Sequence, residues 1–69
     1  MSEHYLPGAN WTSKDGRRHI VIVREIHSHR GRAFTIRNLS TGRESQIEIS
    51  GLSRKFNFGG YDPAFEDRL

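Results

Sequence analysis

The sequence predicts an all-β fold: an antiparallel meander of four to five strands, with a short helical turn before the last strand. Three observations carry that prediction. The segment RRHIVIVREIHS, residues 17–28, is dense in β-branched residues, which suit a pleated, half-buried surface. The segment FTIRNLSTGRESQIEI, residues 34–49, alternates apolar and polar positions around a Thr41, Gly42 turn. That is the period of strands with one dry face and one wet face. Turn formers at Asp15, Gly16, Gly31, Gly42 and Gly51 divide the chain into strand-length pieces.

Taken in order, the expected strands are residues 9–14, 17–28, 32–40 and 43–50. Asp15 and Gly16 are a strong two-residue turn pair. Counting back from them sets Trp11 against Ile20 on the core side. The next hairpin closes through His29, Arg30 and Gly31, with the glycine at the left-handed position of a three-residue loop. This register sets Ile26 against Phe34, but it also sets Arg24 against Ile36 on the face meant to be dry. A bulge near Val23 and Arg24 would shift the parity there. In the third hairpin, pairing Ile36 with Ile47 and Phe34 with Ile49 requires an even-numbered loop, either 41–42 or 40–43. Thr35, Arg37, Gln46 and Glu48 then form the solvated face.

After Gly51, residues 52–55 fit one helical turn, and Phe56 and Phe58 share a face of a final short strand. Gly59 and Gly60 end the domain. The expected core is Trp11, Ile20, Ile22, Ile26, Phe34, Ile36, Ile47, Ile49, Leu52, Phe56 and Phe58. The organisation is thus a flexible lead (1–8), a domain (9–58) and a tail (59–69), in which Asp62 before Pro63 would cap a helical turn. A four-strand meander, a short turn and a brief fifth strand resembles the layout of SH3-like small barrels, at the level of fold and over residues 9–58. No KOW-type or Sm-type signature accompanies it. The resemblance implies a small β-barrel and does not by itself imply a function.

Sixty-nine residues make one domain at most. A chain of this size buries roughly 60% of its unfolded surface, so its core has little stability to spare. With no cysteine, neither a disulfide nor a thiolate metal site can staple it. No apolar run approaches the ~20 residues of a membrane span, and the N-terminus lacks the pattern of a secretory signal. The expectation is a cytoplasmic protein without membrane contact, monomer or homodimer.

The net charge is +3, and nine of the eleven basic residues are arginine. Residues 1–60 carry ten basic and five acidic residues, a net of +5, while the tail is acidic. Arginine suits bidentate recognition of phosphate and carboxylate, and a basic domain points to anionic partners. Arginine-rich chains also arise from GC-rich genomes, which would make the same charges ordinary solvated surface.

Successive turns of a meander alternate between the two ends of the sheet. The Asp15 and Thr41 turns therefore gather Lys14, Arg17, Arg18 and Arg43 at one end. The His29 turn and residues 52–55 are expected to gather Arg30, Arg32, Arg54, Lys55, His27 and His29 at the other, with Arg37 on the outer face. Arg24 and Arg37 also suit cross-strand pairs with Glu25 and Glu48. Arginine-bearing loops beside aromatic residues suit DNA or RNA, because arginines neutralise phosphates and aromatics stack on bases. The candidate interface is Arg17, Arg18, Arg30, Arg32, Arg37, Arg43, Arg54 and Lys55, with Tyr5, Phe56, Phe58 and Tyr61 as stacking candidates. Phe56 and Phe58 serve equally as core closers.

The alternative is an adaptor or inhibitor, phage- or operon-encoded, that engages a protein partner through its tail YDPAFEDRL or through a sheet edge. Tyr61, Phe65 and Leu69 are then the anchors. His27 and His29, with His19 at the same parity, are too few for a convincing metal site without thiolates. There is no P-loop, nucleophile elbow or glycine fingerprint. No cofactor, no metal and no enzymatic activity is expected.

Overall fold

The computed structural model describes residues 3–29, 31–62 and 64–65. A 3-10 turn, Glu3–Tyr5, leads into β1 (Ala9–Ser13), β2 (His19–Ser28), β3 (Gly31–Asn38) and β4 (Glu44–Glu48). Helix α1 (Ile49–Lys55) follows, then β5 (Phe56–Tyr61). The strands form one antiparallel sheet in the order β4-β3-β2-β1-β5. The sheet is not closed, and β4 and β5 are its two edges.

The first hairpin keeps the expected register, with Trp11 opposite Ile20. Its turn is wider than two residues. Ser13 N donates to Arg18 O at 2.8 Å, and Gly16 N donates back to Ser13 O at 2.8 Å. Gly16 sits at φ +77°, where a side chain would be strained. The Asp15 carboxylate holds this loop, accepting from the Ser13 hydroxyl and, at 3.0 Å, from Arg17 N. The Ser13 hydrogen bond first, and the Arg17 amide second, keep the Asp15 carboxyl below the usual range.

The second hairpin corrects the sequence reading. Ser28 pairs with Gly31, so only residues 29 and 30 lie between the strands rather than three. The expected Ile26–Phe34 pairing is replaced by Ile26–Ala33 and Glu25–Phe34. The bulge does occur: the register shifts between Ile22 and Arg24, bringing Ile22 opposite Ile36 and Arg24 opposite Thr35. The extra residue turns Arg24 and Ile26 to the outer face. Ile26 therefore leaves the core and lines a shallow hollow of about 260 Å³ with Ala33.

The third hairpin keeps the expected parity but slides by two residues, and Thr35, expected on the solvated face, is buried. Phe34 pairs with Ile47 and Ile36 with Ser45. The cause is Asn38. Its side-chain oxygen accepts from Ser40 N (2.8 Å) and Thr41 N (3.2 Å), and its carbonyl accepts from Gly42 N (2.8 Å). That wound turn takes up residues 39–42 and ends β4 early. Ile49 and Gly51 then belong to α1, which starts three residues before the expected helical turn. A Cβ on Gly51 would lie 3.4 Å from Ile47 Cγ1, so the missing side chain lets the helix sit close to β4.

The core comprises Ala9, Trp11, Ile20, Ile22, Phe34, Ile36, Leu52 and Phe56, with Tyr5, Ile47, Ile49, Phe58 and Tyr61 packed against it. Phe34, Ile22 and Leu52 are fully buried. Tyr5 and Tyr61 were outside the expected domain limits. Residues 3–5 instead dock on β1 and β5, and Trp11 Nε1 donates to His4 O at 2.8 Å. Residues 59–61, assigned to the tail by the sequence, complete β5 and pair along β1 as far as Ala9 and Tyr61.

Gly8 ties the segment before β1 to β2 and to Asp62 after β5. Its amide donates to Ile22 O at 2.9 Å and its carbonyl accepts from Asp62 N at 3.0 Å. It adopts φ +98°, and a Cβ there would run into the Asp62 carbonyl oxygen and lie 2.9 Å from Phe65 Cβ. Gly8→Ala is therefore expected to cost about 2 kcal/mol, from backbone strain plus steric overlap. Thermal unfolding checks this, and an unchanged midpoint would contradict it.

Candidate nucleic-acid interface

Three cation-bearing segments lie at the Asp15 end of the sheet, each joined to a neighbouring strand or loop by a backbone hydrogen bond. The β1–β2 loop carries Lys14, Arg17 and Arg18. The β3–β4 turn carries Arg43 and is joined to β2 through Leu39 N, which donates to His19 O at 2.8 Å. The third segment is the α1–β5 junction. Lys14 N donates to Lys55 O at 3.1 Å, and Ser13 pairs with Phe56.

This placement corrects the sequence reading, which put Arg54 and Lys55 at the His29 end. The reason is the course of α1. β4 ends at the His29 end, and α1 carries the chain back across the core to the Asp15 end before β5 begins. Arg54 and Lys55 occupy its last turn, where cations also complement the helix dipole. The Asp15 end thus gathers Lys14, Arg17, Arg18, Arg43, Arg54 and Lys55, all exposed. Glu44 lies beside Arg43 but is paired with Arg37. With that pair cancelled, six cations and one carboxylate, Asp15, stand at this end among the described residues.

Arg18 does more than carry charge. Its guanidinium lies 5.2 Å from the centroid of the Phe56 ring, covering the end of the core. Phe56 is buried, as a core closer should be, whereas Phe58 is half-buried. The His4 ring stacks on Phe58 with centroids 4.0 Å apart and planes 23° apart. His4 had no place among the sequence candidates. Its only local signal is an aromatic neighbour, Tyr5, in a segment with no strand periodicity.

No family model, no curated protein and no solved structure matches the chain. The chemistry of the surface is therefore the guide to its partner.

The remaining expected site residues fall elsewhere. Arg32 is engaged at the His29 end, where Nε and Nη2 donate to the two Glu25 oxygens at 3.0 and 2.8 Å. Its guanidinium also lies 5.4 Å from the Tyr5 ring and 5.6 Å from the Phe34 ring. The hydrogen bond from Arg32 holds the Glu25 carboxyl below its usual range, and the same bond raises Arg32. Arg37 donates twice to Glu44 Oε2, at 3.2 and 2.7 Å. The cross-strand partners are thus Glu25 for Arg32 and Glu44 for Arg37, rather than Glu25 for Arg24 and Glu48 for Arg37. Arg30 and Leu69 lie outside the described residues.

His19 stands at the Asp15 end beside Thr12, with Nδ1 3.3 Å from the hydroxyl. His27 and His29 are at the opposite end of β2. Among the described residues, no group of three or more histidine or carboxylate side chains gathers as metal ligands do. Of the tail anchors, Tyr61 is half-buried in β5 and packs on the core. Phe65 lies against Gly8, in a turn where its amide donates to Asp62 O at 3.2 Å. Among the described residues, no helix is long and apolar enough to cross a membrane.

Proposed function

We propose that this chain is an SH3-like small-barrel module that binds DNA or RNA through its Asp15 end. The observation that carries the reading is the hydrogen bond from Lys14 N to Lys55 O. It sets Arg54 and Lys55 beside Lys14, at the end of the sheet that also carries Arg17, Arg18 and Arg43. The strand order supports the barrel class, since β5 returns to pair with β1 after a single helical segment. Phosphate contacts supply most of the affinity, and sequence preference is weak, because backbone contacts position a nucleic acid without reading it. The setting proposed is the cytoplasm, and no cofactor or catalytic group takes part. The tail reading has less behind it, because Tyr61 and Phe65 are already used within the fold.

The test is a titration of the labelled protein with short DNA and RNA oligonucleotides at rising salt, followed by amide-resolved NMR. Shifts should concentrate at residues 14–18, 43 and 54–55. With five or so phosphates neutralised on a duplex, log K should fall against log salt with a slope of about −4 to −5. Spectra that stay unchanged at low salt would sink the reading.

A further inference from the structure

We infer that Leu39 is an apolar wedge for duplex DNA: it enters a base step from the minor groove while the neighbouring cations hold the phosphates on either side. This rests on the reading above and goes beyond it, because phosphate contacts alone neither kink a duplex nor choose a place on it.

A single exposed leucine is ordinary on a protein surface, but the placement of this one is not. Among the described residues, Leu39 is the one large hydrophobic side chain left exposed, at 54%. It stands in a turn whose other members, Asn38 and residues 40–43, are polar, charged or glycine. The hydrogen bonds that wind this turn use the Asn38 side chain, the Thr41 hydroxyl and backbone groups. A polar residue at position 39 would serve the turn as well.

The backbone beneath Leu39 is tied down. Leu39 N donates to His19 O at 2.8 Å, and Arg43 N donates to Thr41 Oγ1 at 3.2 Å. Gly42 takes the left-handed φ of +75°. An apolar group carried on so fixed a turn can be inserted with little ordering cost.

Strand order supplies the surroundings. Across the Asp15 end the sheet runs β4, β3, β2, β1, β5. Arg43 precedes β4, Leu39 follows β3, Arg17 and Arg18 precede β2, Lys14 follows β1, and Lys55 precedes β5. Four strand spacings make that row about 19 Å wide. Cations therefore flank the leucine on both sides. Minor-groove proteins combine these same two elements, basic side chains on the backbone and an apolar wedge that partly unstacks one step and kinks the duplex. A wedge reads no base edge. Its preference goes to the steps that open most cheaply, TA and CA rather than A-tracts.

The experiment uses two DNA duplexes of equal length that differ only at the centre, a TA step in one and an unbroken A-tract in the other. Dyes at the two ends report bending by energy transfer, and anisotropy reports affinity. Single strands of DNA and RNA complete the ligand set. The wild type should bend the TA duplex and bind it roughly ten-fold more tightly than the A-tract duplex. Leu39→Ala should bind both duplexes alike, without bending either. Leu39→Met, apolar and of similar size, should bend the TA duplex as the wild type does. The comparison of the two duplexes needs no variant, so it decides the matter even if L39A perturbs the turn. A TA duplex left straight by the wild type, or bent fully by L39A, overturns the wedge while leaving the cationic interface standing. Binding confined to the single strands does the same. Absence of binding by every ligand at low salt overturns both.

Discussion

Phe34→Ala is expected to leave the chain largely unfolded at 25 °C. Phe34 is fully buried at the centre of the sheet, opposite Ile47 on one side and Glu25 on the other. Tyr5 stacks on it, with centroids 5.7 Å apart and planes at 16°, and the Arg32 guanidinium closes over both rings. Truncation removes the largest fully buried side chain and leaves a cavity that a sheet interior cannot collapse into. Such changes cost about 3–5 kcal/mol. A core of this size rarely supplies more than about 3–5 kcal/mol in total, so the loss is comparable with the whole stability. Ile26→Ala is the informative companion. Periodicity placed Ile26 opposite Phe34 in one core, but the bulge puts it half-exposed on the outer face. Its truncation should cost only about 1 kcal/mol. Circular dichroism melts of the two variants check this. A cooperative, near-native melt for F34A, or equal losses for both, would contradict it.

The second large effect concerns binding. Reversing Arg54 and Lys55 together (R54E/K55E) should weaken nucleic-acid binding by well over ten-fold at low salt. It should also lower the slope of log K against log salt by about 2, one for each phosphate contact removed. Both side chains are exposed at the end of α1, so stability should change little. Arg24→Glu is the control. Arg24 is exposed on the outer face, opposite Thr35 and away from the Asp15 end. Its reversal changes the net charge without touching the proposed interface. Binding measured by anisotropy between low and moderate salt distinguishes the cases. If R24E weakens binding as much per charge as R54E/K55E, the attraction belongs to the whole molecule and not to one end.

The two sides of each strand were legible in the residues because the reason is local. Adjacent side chains point to opposite faces, so alternation at Phe34, Ile36 and Ile47 assigns the dry side whatever the partner strand is. Even the bulge at Val23 was legible, since a charged Arg24 on a dry face is a conflict that one extra residue resolves. Register was less so. A slide of two residues preserves the faces and so leaves no trace in the pattern. It was decided by the hydrogen bonds of Asn38, which wind the β3–β4 turn.

The identity of the cationic residues also came from the sequence alone. Which of them act together did not. Arg32 and Arg37 found carboxylates across neighbouring strands, and strand pairing joins positions that are distant along the chain. Arg54 and Lys55 changed ends because α1 crosses the sheet before β5 begins, a path set by burying Leu52 beneath the helix. His4 joined Phe58 only because the 3-10 turn folds back onto β1 and β5. Composition and periodicity determined that this is a small basic β-protein with an identifiable dry face. Tertiary packing decided which end of the sheet carries the charge, because that depends on where the chain crosses the core.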